Sequence, residues 1–574
     1  MPIHNSDIAG IFNTVADLLE IGGENAFRVR AYRNAGRTLG GLSGDIAEMV
    51  RRGEDFTQLP GIGKDLAAKI ETIVHTGTLP MLEELKRKYS PELTSLMNIA
   101  GLGARRVKVL NQKLGINTIE ELQQAAREQK IRGLPGFGAK TEEKILTETG
   151  RRQSSSQRTQ INIAQQIAQP LVDYLKKSAR VAPVAVAGSY RRRKETVRDL
   201  DVLVACKQSR EVIQRFVAYD DVAEVVSMGE TRVTVRLKSN LQVDLRVVDH
   251  KSYGAALHYF TGSQAHNIAI RKRGVKRGLK INEYGIYRGD RYIGGEKEEE
   301  IFAAVDLPYI EPELREDRGE VQAAEQGNLP NLVQRSDIRG DLHSHTNATD
   351  GRYTMEQMVD EARRRGYHYL AISDHSQRLA MAKGLNPARL ARQIEQLHKL
   401  NQKIADFDIL ASIEVDILED GSLDLPDSIL RELDLVVCSV HSRFNLDREK
   451  QTTRIMHAMD NRYATILAHP TGRIIQGRAP YEIDMDRILR HAAETGMILE
   501  LNSHPDRLDL PDIHCRAAKQ LGIRFSIATD AHAVSDFDNL EYGIWQARRG
   551  WLEPSDVVNT LSIKQLRRVL QARR

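Results

Sequence analysis

GSYRRRKETVRDLDVLV, residues 188–204, decides how this chain is read. The apolar run Val184 to Ala187 precedes it, so Gly188 and Ser189 sit where a strand ends and the chain turns. Asp199 and Asp201 stand two apart at the start of a second apolar run, Leu200 with Val202, Leu203 and Val204. Side chains two apart in a strand share a face, so both carboxylates are placed beside the turn. Paired carboxylates are hard oxygen ligands suited to Mg²⁺ or Mn²⁺. The backbone N–H groups and hydroxyl of a Gly-Ser turn suit phosphate oxygens. Together they describe a site that holds a nucleoside triphosphate by its metal-bound phosphates. A DxD pair alone would more often be two solvated residues on a surface hairpin. The preceding Gly-Ser and the cluster Arg191, Arg192 and Arg193 move the reading to function.

At 574 residues the chain has room for several domains with separate cores. No run of 18 apolar residues occurs, so no transmembrane helix and no membrane partner are expected. The first residues, MPIHNSDIAGIFNTV, lack the basic and apolar segments of a secretory signal. Cys206, Cys438 and Cys515 lie far apart without a CxxC, which fits a reducing, cytoplasmic setting and excludes a disulfide framework. Residues 1–300 carry 48 Lys and Arg against 36 Asp and Glu, whereas residues 301–574 carry 35 against 42. The basic front suits a polyanion. Twelve of the 17 histidines lie after residue 300, so the acidic back suits metal ions.

The front is helical in pattern and is punctuated three times by similar glycine turns. These are Leu59-Pro60-Gly61-Ile62-Gly63, Ile99-Ala100-Gly101-Leu102-Gly103 and Leu134-Pro135-Gly136-Phe137-Gly138. After the first, Leu66, Ala67, Ile70, Ile73 and Val74 fall at helical spacing. Each turn opens a helix whose free N–H groups can hold a DNA backbone phosphate without reading sequence. RRQSSSQRTQ, residues 151–160, reads as a linker. Strands are expected at 184–187, 200–205, 232–237 and 241–248, the last carrying Asp244. A second linker, rich in Pro, Glu and Gln, is expected at 311–338.

The back half alternates helices with short apolar runs at 369–373, 409–413, 435–440, 465–468, 498–501 and 525–529, with Asp341-Leu342 starting another. That is the pattern of a βα barrel. His375, Glu414, His441, His469 and Asp530 fall at or just past the ends of these strands, the face on which βα barrels carry active sites. His343 and His345 in DLHSHT, Asp350 in TDG, and His532 in TDAH bring the candidate ligands to nine. Nine exceed the needs of one ion, so a cluster of two or three is expected. Imidazoles mixed with carboxylates suit Mn²⁺ or Zn²⁺, and such clusters hydrolyse phosphoesters.

With these motifs in place the chain resembles, over essentially its whole length, a bacterial family X DNA polymerase carrying a C-terminal PHP (polymerase and histidinol phosphatase) domain. The resemblance rests on GSYRRR…DLD, VDLR, HYFTGSQAHNIAIRKRG, GLKINEYG and the nine ligands, and the glycine turns resemble helix-hairpin-helix motifs. It implies a multidomain fold: an α-helical helix-hairpin-helix front at 1–150, an α+β nucleotidyltransferase palm with its nascent-pair subdomain at 151–310, the linker at 311–338, and a distorted (β/α)7 PHP barrel at 339–574. It implies that Asp199 and Asp201 bind both catalytic metals and that Asp244 holds the ion beside the primer 3′-OH. Gly188, Ser189 and Arg192 would grip the incoming dNTP. Tyr259, Phe260 and Gly262 would line the sugar pocket, with Asn267 and Arg271 at the minor-groove side of the new pair. Lys69 aligns with the Schiff-base lysine of relatives that excise a 5′-deoxyribose phosphate, although Asp65 replaces a basic phosphate contact.

Arg193 and Arg198 stand where the family often has Gly, which adds strain wherever a positive φ is needed. Gln264 and Ile268 replace residues that contact base or template in some relatives. The expected function is gap filling on gapped or nicked DNA by two-metal nucleotidyl transfer, with 3′–5′ trimming by the PHP domain and cleavage at abasic sites as a further activity. A template-independent nucleotidyltransferase, a small-molecule phosphatase in the back half, and a DNA-binding scaffold with dead sites are the rival readings.

Overall fold

The computed structural model describes residues 5–40, 46–59, 61–89, 93–96, 99, 102–146, 158–179 and 181–573. The chain divides into two compact units, residues 1–157 and 158–574. Palm and barrel, expected as separate domains, therefore lie in one unit.

The first unit is helical. Helix Lys64–Thr76 buries Leu66, Ala67, Ile70 and Ile73 and stops at Gly77, whose φ of 76° ends the α conformation. Helix Ile119–Arg127 is opened by a capping box between Thr118 and Glu121. The glycine turns divide their work. Gly61 and Gly136 take φ of 79° and 83°, which a side chain would strain. Gly63 and Gly103 are extended residues that open the helices Lys64–Thr76 and Ala104–Leu114 with no side-chain cap. A Cβ at Gly63, Gly103, Gly136 or Gly138 would meet nothing within 4 Å, so the approach to these turns is open. Gly101 lies outside the described residues.

The palm of the second unit is a five-stranded mixed sheet ordered Val184–Val186, Asp199–Ala205, Gln242–Val248, Arg232–Leu237 and Val222–Met228. Four of these strands lie where they were expected. The fifth, Val222–Met228, was not expected; it is the exposed edge, with Met228 66% exposed, and carries no one-sided apolar pattern. Helices Tyr253–Thr261 and Gln264–Lys276 follow, then the antiparallel strands Lys280–Asn282, Gly285–Arg288 and Arg291–Gly294.

Residues 311–338, expected as a linker, are a folded connection. Arg315 is fully buried, donating to Glu298 at 2.5 Å and to the Ile310 carbonyl at 2.8 Å. Glu320 is fully buried and meets His266 Nδ1 at 2.7 Å. The charges that made this segment look solvated are internal partners, which is the condition for burying a charge.

The barrel has seven staves in parallel order. Gly340–Asp341, Tyr369–Ile372 and Asp408–Ala411 form one sheet; Glu414–Asp416, Val437–Ser439, Ile466–Leu467, Ile498–Asn502 and Phe525–Ala528 form another. The third stave breaks at Ser412-Ile413 and resumes at Glu414, turning from one sheet to the other. Parallel bridges Ser344–Ala531 and His375–Glu414 join the two sheets into a ring. Among the described residues no helix is long and apolar enough to cross a membrane.

Candidate active sites

Asp201 and Asp244 are register partners on adjacent parallel strands, and Asp199 lies two residues before Asp201 on the same face. Gly188 begins the short helix Gly188–Arg191 with φ 64° and lies so close to Asp201 that a Cβ there would collide with the carboxylate. Burial, then Asp199 and Asp244, push the Asp201 carboxyl up to about 6. Burial works the same way on Asp244, but hydrogen bonds from Thr234 (2.5 Å), Gln242 (2.8 Å) and Arg232 (3.1 Å) outweigh it and hold its pKa below the ordinary value. Three acids this close repel one another until a cation separates them.

The combined effect of burial and that repulsion is measurable. A carboxyl raised from 3.8 to about 6 costs stability as pH rises through that window, and the cost is complete above it. The cost is on the order of 2–3 kcal/mol at pH 7.5. Metal-free Asp201→Asn should therefore melt above the metal-free parent at pH 7.5, with the gap closing as pH falls below 6. Mg²⁺ should raise the melting temperature of the parent alone.

A cleft of about 740 Å³ beside these acids is bordered by Gly188, Ser189, Arg192, Asp199 and Asp201 on the palm side. Tyr259, Phe260, Gly262, Asn267 and Arg271 border it on the other, so one cavity gathers every candidate nucleotide-binding residue. Gln264 and Ile268 border it too. The three consecutive arginines part company, as residues on a helical turn must. Arg191 pairs with Glu298 at 2.7 Å, away from the cleft. Arg192 donates to Glu316 (3.0 Å) and to the Thr261 carbonyl (2.6 Å). Arg193 takes φ 56° and lays its guanidinium 3.9 Å from the Trp545 ring of the barrel's helix Leu540–Arg549. The expected strain is thus present at Arg193 and offset by stacking. Arg198 does not adopt a positive φ.

Two further residues escaped the sequence. Lys194 borders the cavity, and Arg246 lies over the ring of the cleft residue Phe260 at 4.2 Å. The basic run around residue 192 and the VDLR motif were the available signals. Arg549, only 4% exposed, ties this region to the barrel: it donates to the Arg192 carbonyl (2.7 Å), Glu316 (3.0 Å) and Asp512 (2.6 Å).

Lys69, the lyase candidate, is ion-paired with Asp65 one helical turn earlier. That pairing occupies the amine which a Schiff base would need.

All nine candidate ligands of the barrel meet at the carboxyl ends of its strands. His345, Asp350, His375 and His532 form one group, His343, His345 and Asp530 a second, and His375, Glu414 and His441 a third; in each, one ligand atom per residue lies within 4.8 Å of the others. His469 Nε2 lies 3.1 Å from Glu414 Oε1 and completes the set. Glu414 is the hub, with His375 at 2.8 Å and His441 at 3.2 Å. His469 and Asp530 take positive φ of 29° and 54°, a cost on the order of 1 kcal/mol each that function-bearing residues often carry.

The residues fit metal ions on structural grounds. His343 Nε2 and His345 Nδ1 are buried without a hydrogen-bond partner, which a protein tolerates only where another partner is supplied. Burial disfavours charge on His375 and His441, yet Glu414 with Asp350 or Asp416 outweighs it and lifts them to about 10 and 9. A second layer of acids escaped the sequence. Glu500 accepts from His343 Nδ1 (2.6 Å) and the His469 amide (2.7 Å), and Asp416 lies 3.0 Å from His441 Nδ1. Asp374 is fully buried and holds Thr346, Thr349 and Gln393. Such partners orient ligand imidazoles. Asp416, two residues beyond Glu414, and Asp374, beside His375, had positional signals; Glu500 is one acid in an apolar strand and had none.

Family models match this chain in four places. They are a helix-hairpin-helix domain at 3–79, a SAM-like helix-hairpin-helix tandem at 93–150, the DNA polymerase beta thumb at 256–316 and the PHP domain at 341–504. The chain is 36% identical over 576 residues to the DNA polymerase/3′-5′ exonuclease PolX of Bacillus subtilis (strain 168), covering 99% of this chain and 100% of that protein. A probable phosphatase of Thermoanaerobacter sp. (strain X514) is 29% identical over 231 residues, 38% of this chain and 89% of its own length. A probable phosphatase of Caldanaerobacter subterraneus is 28% identical over 245 residues, 41% of this chain and 91% of its own. The full-length match, the thumb and the PHP domain agree with the two sites described above, and the chain belongs to the family X DNA polymerases that carry a C-terminal PHP domain.

Proposed function

We propose that this protein fills short gaps in DNA at the palm and trims 3′ ends at the barrel. The observation that carries the reading is the single cleft in which Asp199 and Asp201 meet the Gly188-Ser189 turn, Arg192 and the Tyr259–Gly262 segment. Asp199 and Asp201 would hold two ions, Mg²⁺ or Mn²⁺, and Asp244 the one nearer the primer. Bound ions neutralise the triphosphate and favour ionisation of the attacking 3′-OH. Ser189 and Arg192 hold the triphosphate of the dNTP, Arg192 exchanging Glu316 for phosphate oxygens. Tyr259 and Phe260 close the sugar pocket against ribose, and Asn267 and Arg271 face the minor groove of the new pair. Gly61, Gly63, Gly103, Gly136 and Gly138 present helix N–H groups to the DNA backbone; Gly101 is assigned to the same role by its sequence alone. Three separated, unbridged cysteines support a cytoplasmic setting.

In the barrel the nine residues would hold two or three ions, Mn²⁺ before Zn²⁺. Bound there, the ions supply an activated water and neutralise the phosphodiester. Glu500 and Asp416 keep His343 and His441 in ligating orientation. The similarity of this half to probable phosphatases favours a second reading, hydrolysis of small phosphomonoesters. A labelled 3′ end and a chromogenic phosphomonoester, each assayed with Mn²⁺, separate the two: the proposal requires the DNA to be the better substrate.

For the palm, primer extension across a short gap is the test. Extension should need a template and stop at the gap's downstream end. Equal extension of an untemplated primer would make the palm a terminal transferase.

A further inference from the structure

The nucleotidyl-transfer cleft does not end at the palm. Arg158 borders it and also borders a second cleft, of about 420 Å³, whose far wall is the barrel segment from Arg473 to Pro480. That segment follows His469 directly, and it packs on the residues before Asp530's neighbour Arg507. The Ile475 amide donates to the Asp506 carbonyl (2.6 Å), and Arg473 Nε donates to the Arg507 carbonyl (2.9 Å). Arg507 Nε in turn lies 3.8 Å from Asp530 Oδ2. A continuous run of residues thus leads from Asp201 to the metal cluster.

The run is cationic and short of counter-ions. Glu195 lines the second cleft but is taken by Arg473 at 2.6 Å. Among the described residues neither Arg158 nor Arg478 is paired with a carboxylate. Arg158 is pinned at Thr196 by Nε to the hydroxyl (2.7 Å) and Nη2 to the carbonyl (2.8 Å), and its own carbonyl accepts from Gln476. Arg478 is fixed over the Phe444 ring at 4.0 Å and donates to the Gly472 carbonyl (2.7 Å). Burial and the nearby Arg507 lower the Arg478 pKa, as expected of cations held close together. Arg507 Nη1 is buried without a hydrogen-bond partner. Guanidiniums preorganised in this way, with donors to spare, match the spaced phosphates of a nucleic-acid strand.

We propose that Arg158, Arg478 and Arg507 form a phosphate-binding strip that holds the backbone of a single-stranded DNA 3′ end between the nucleotidyl-transfer cleft and the barrel's metal cluster. A primer end peeled from its template would thus reach the cluster without leaving the protein. The inference rests on the reading of the barrel as a 3′-end nuclease, but the strip can be tested apart from it.

The test uses the full chain and the double variant Arg158→Gln/Arg478→Gln, with Arg158→Lys/Arg478→Lys as the charge-preserving control. Anisotropy of a fluorescein-labelled oligo(dT), measured in chelator so that no cleavage intervenes, reads binding alone. The Gln variant should bind about tenfold more weakly. Its plot of log affinity against log salt should be flatter by about 1.4, the loss of two phosphate contacts on a single strand; the Lys variant should keep the parent slope. With Mn²⁺, trimming of the oligonucleotide should slow about tenfold through KM, while hydrolysis of bis-(p-nitrophenyl) phosphate, which needs only the cluster, should stay at the parent rate. Unchanged binding and salt slope in the Gln variant would overturn the strip. So would an equal loss on the small diester, which would make these arginines supports of the cluster itself. A parent enzyme that binds through the strip yet cleaves neither substrate would instead sink the nuclease reading and leave the strip supported.

Discussion

Asp201→Ala should lower nucleotide addition by at least about 10³-fold and leave 3′-end trimming intact. The size follows from the position of the residue. Asp201 faces Asp244 across the strand pair and stands beside the Gly188 turn, so under the proposed function it is the carboxylate that would be shared by both ions. Its loss removes a shared ligand and leaves the triphosphate's charge uncompensated, in a reaction whose catalysis is almost wholly charge stabilisation and positioning. The alanine also removes the carboxylate that burial and its neighbours push up to about 6, so the variant should not be less stable than the parent when metal-free. Lost activity cannot then be attributed to unfolding. Primer extension under saturating dNTP, beside a melting curve, checks both halves.

Glu414→Gln should produce the mirror image. Glu414 is 1% exposed and lies within 3.7 Å of five imidazoles: His343, His345, His375, His441 and His469. An amide of the same shape keeps the packing but removes the negative charge and one acceptor that Glu414 would offer to the ions. Trimming should fall by at least about 10³-fold, metal content should drop, and gap filling should persist. The metal-free chain supplies an independent check. Burial opposes charge on His375 and His441, but Glu414 raises them to about 10 and 9, above the unfolded value of 6.5. Their favourable pairing with Glu414 is therefore fully present below pH 6.5 and is lost as pH rises through 9 to 10. Metal-free Glu414→Gln should melt well below its parent at pH 6 and close to it at pH 10.

The sequence made legible whatever depended on spacing. Asp199 and Asp201 at i and i+2, the HxH of His343 and His345, and ligands that follow one apolar run after another each have a geometric consequence that needs no structure. Features that depended on what a side chain meets elsewhere were not legible. Residues 311–338 read as a linker because they are rich in Pro, Glu and Gln, and only the fold reveals that Glu298 and His266 are waiting for Arg315 and Glu320. The strand Val222–Met228 showed no alternation because, at the edge of the sheet, most of it faces solvent. Glu500 was invisible inside ILELN, since nothing local marks one acid in an apolar strand as the partner of His343 and His469. The three arginines after Tyr190 were read as one cluster; the short helix Gly188–Arg191 sends them to Glu298, to the cleft and to Trp545.

The central claim is that one chain carries two separable metal-dependent sites that act on the same DNA end in opposite directions. The most direct measurement follows a single 5′-labelled primer on gapped DNA, with the parent, Asp201→Ala and Glu414→Gln each incubated with Mn²⁺, with and without dNTPs. The parent should lengthen the primer when dNTPs are present and shorten it when they are absent. Asp201→Ala should only shorten it, and Glu414→Gln should only lengthen it. If either substitution removes both activities, or if Asp201→Ala still lengthens the primer at the parent rate, the assignment of two independent sites is wrong.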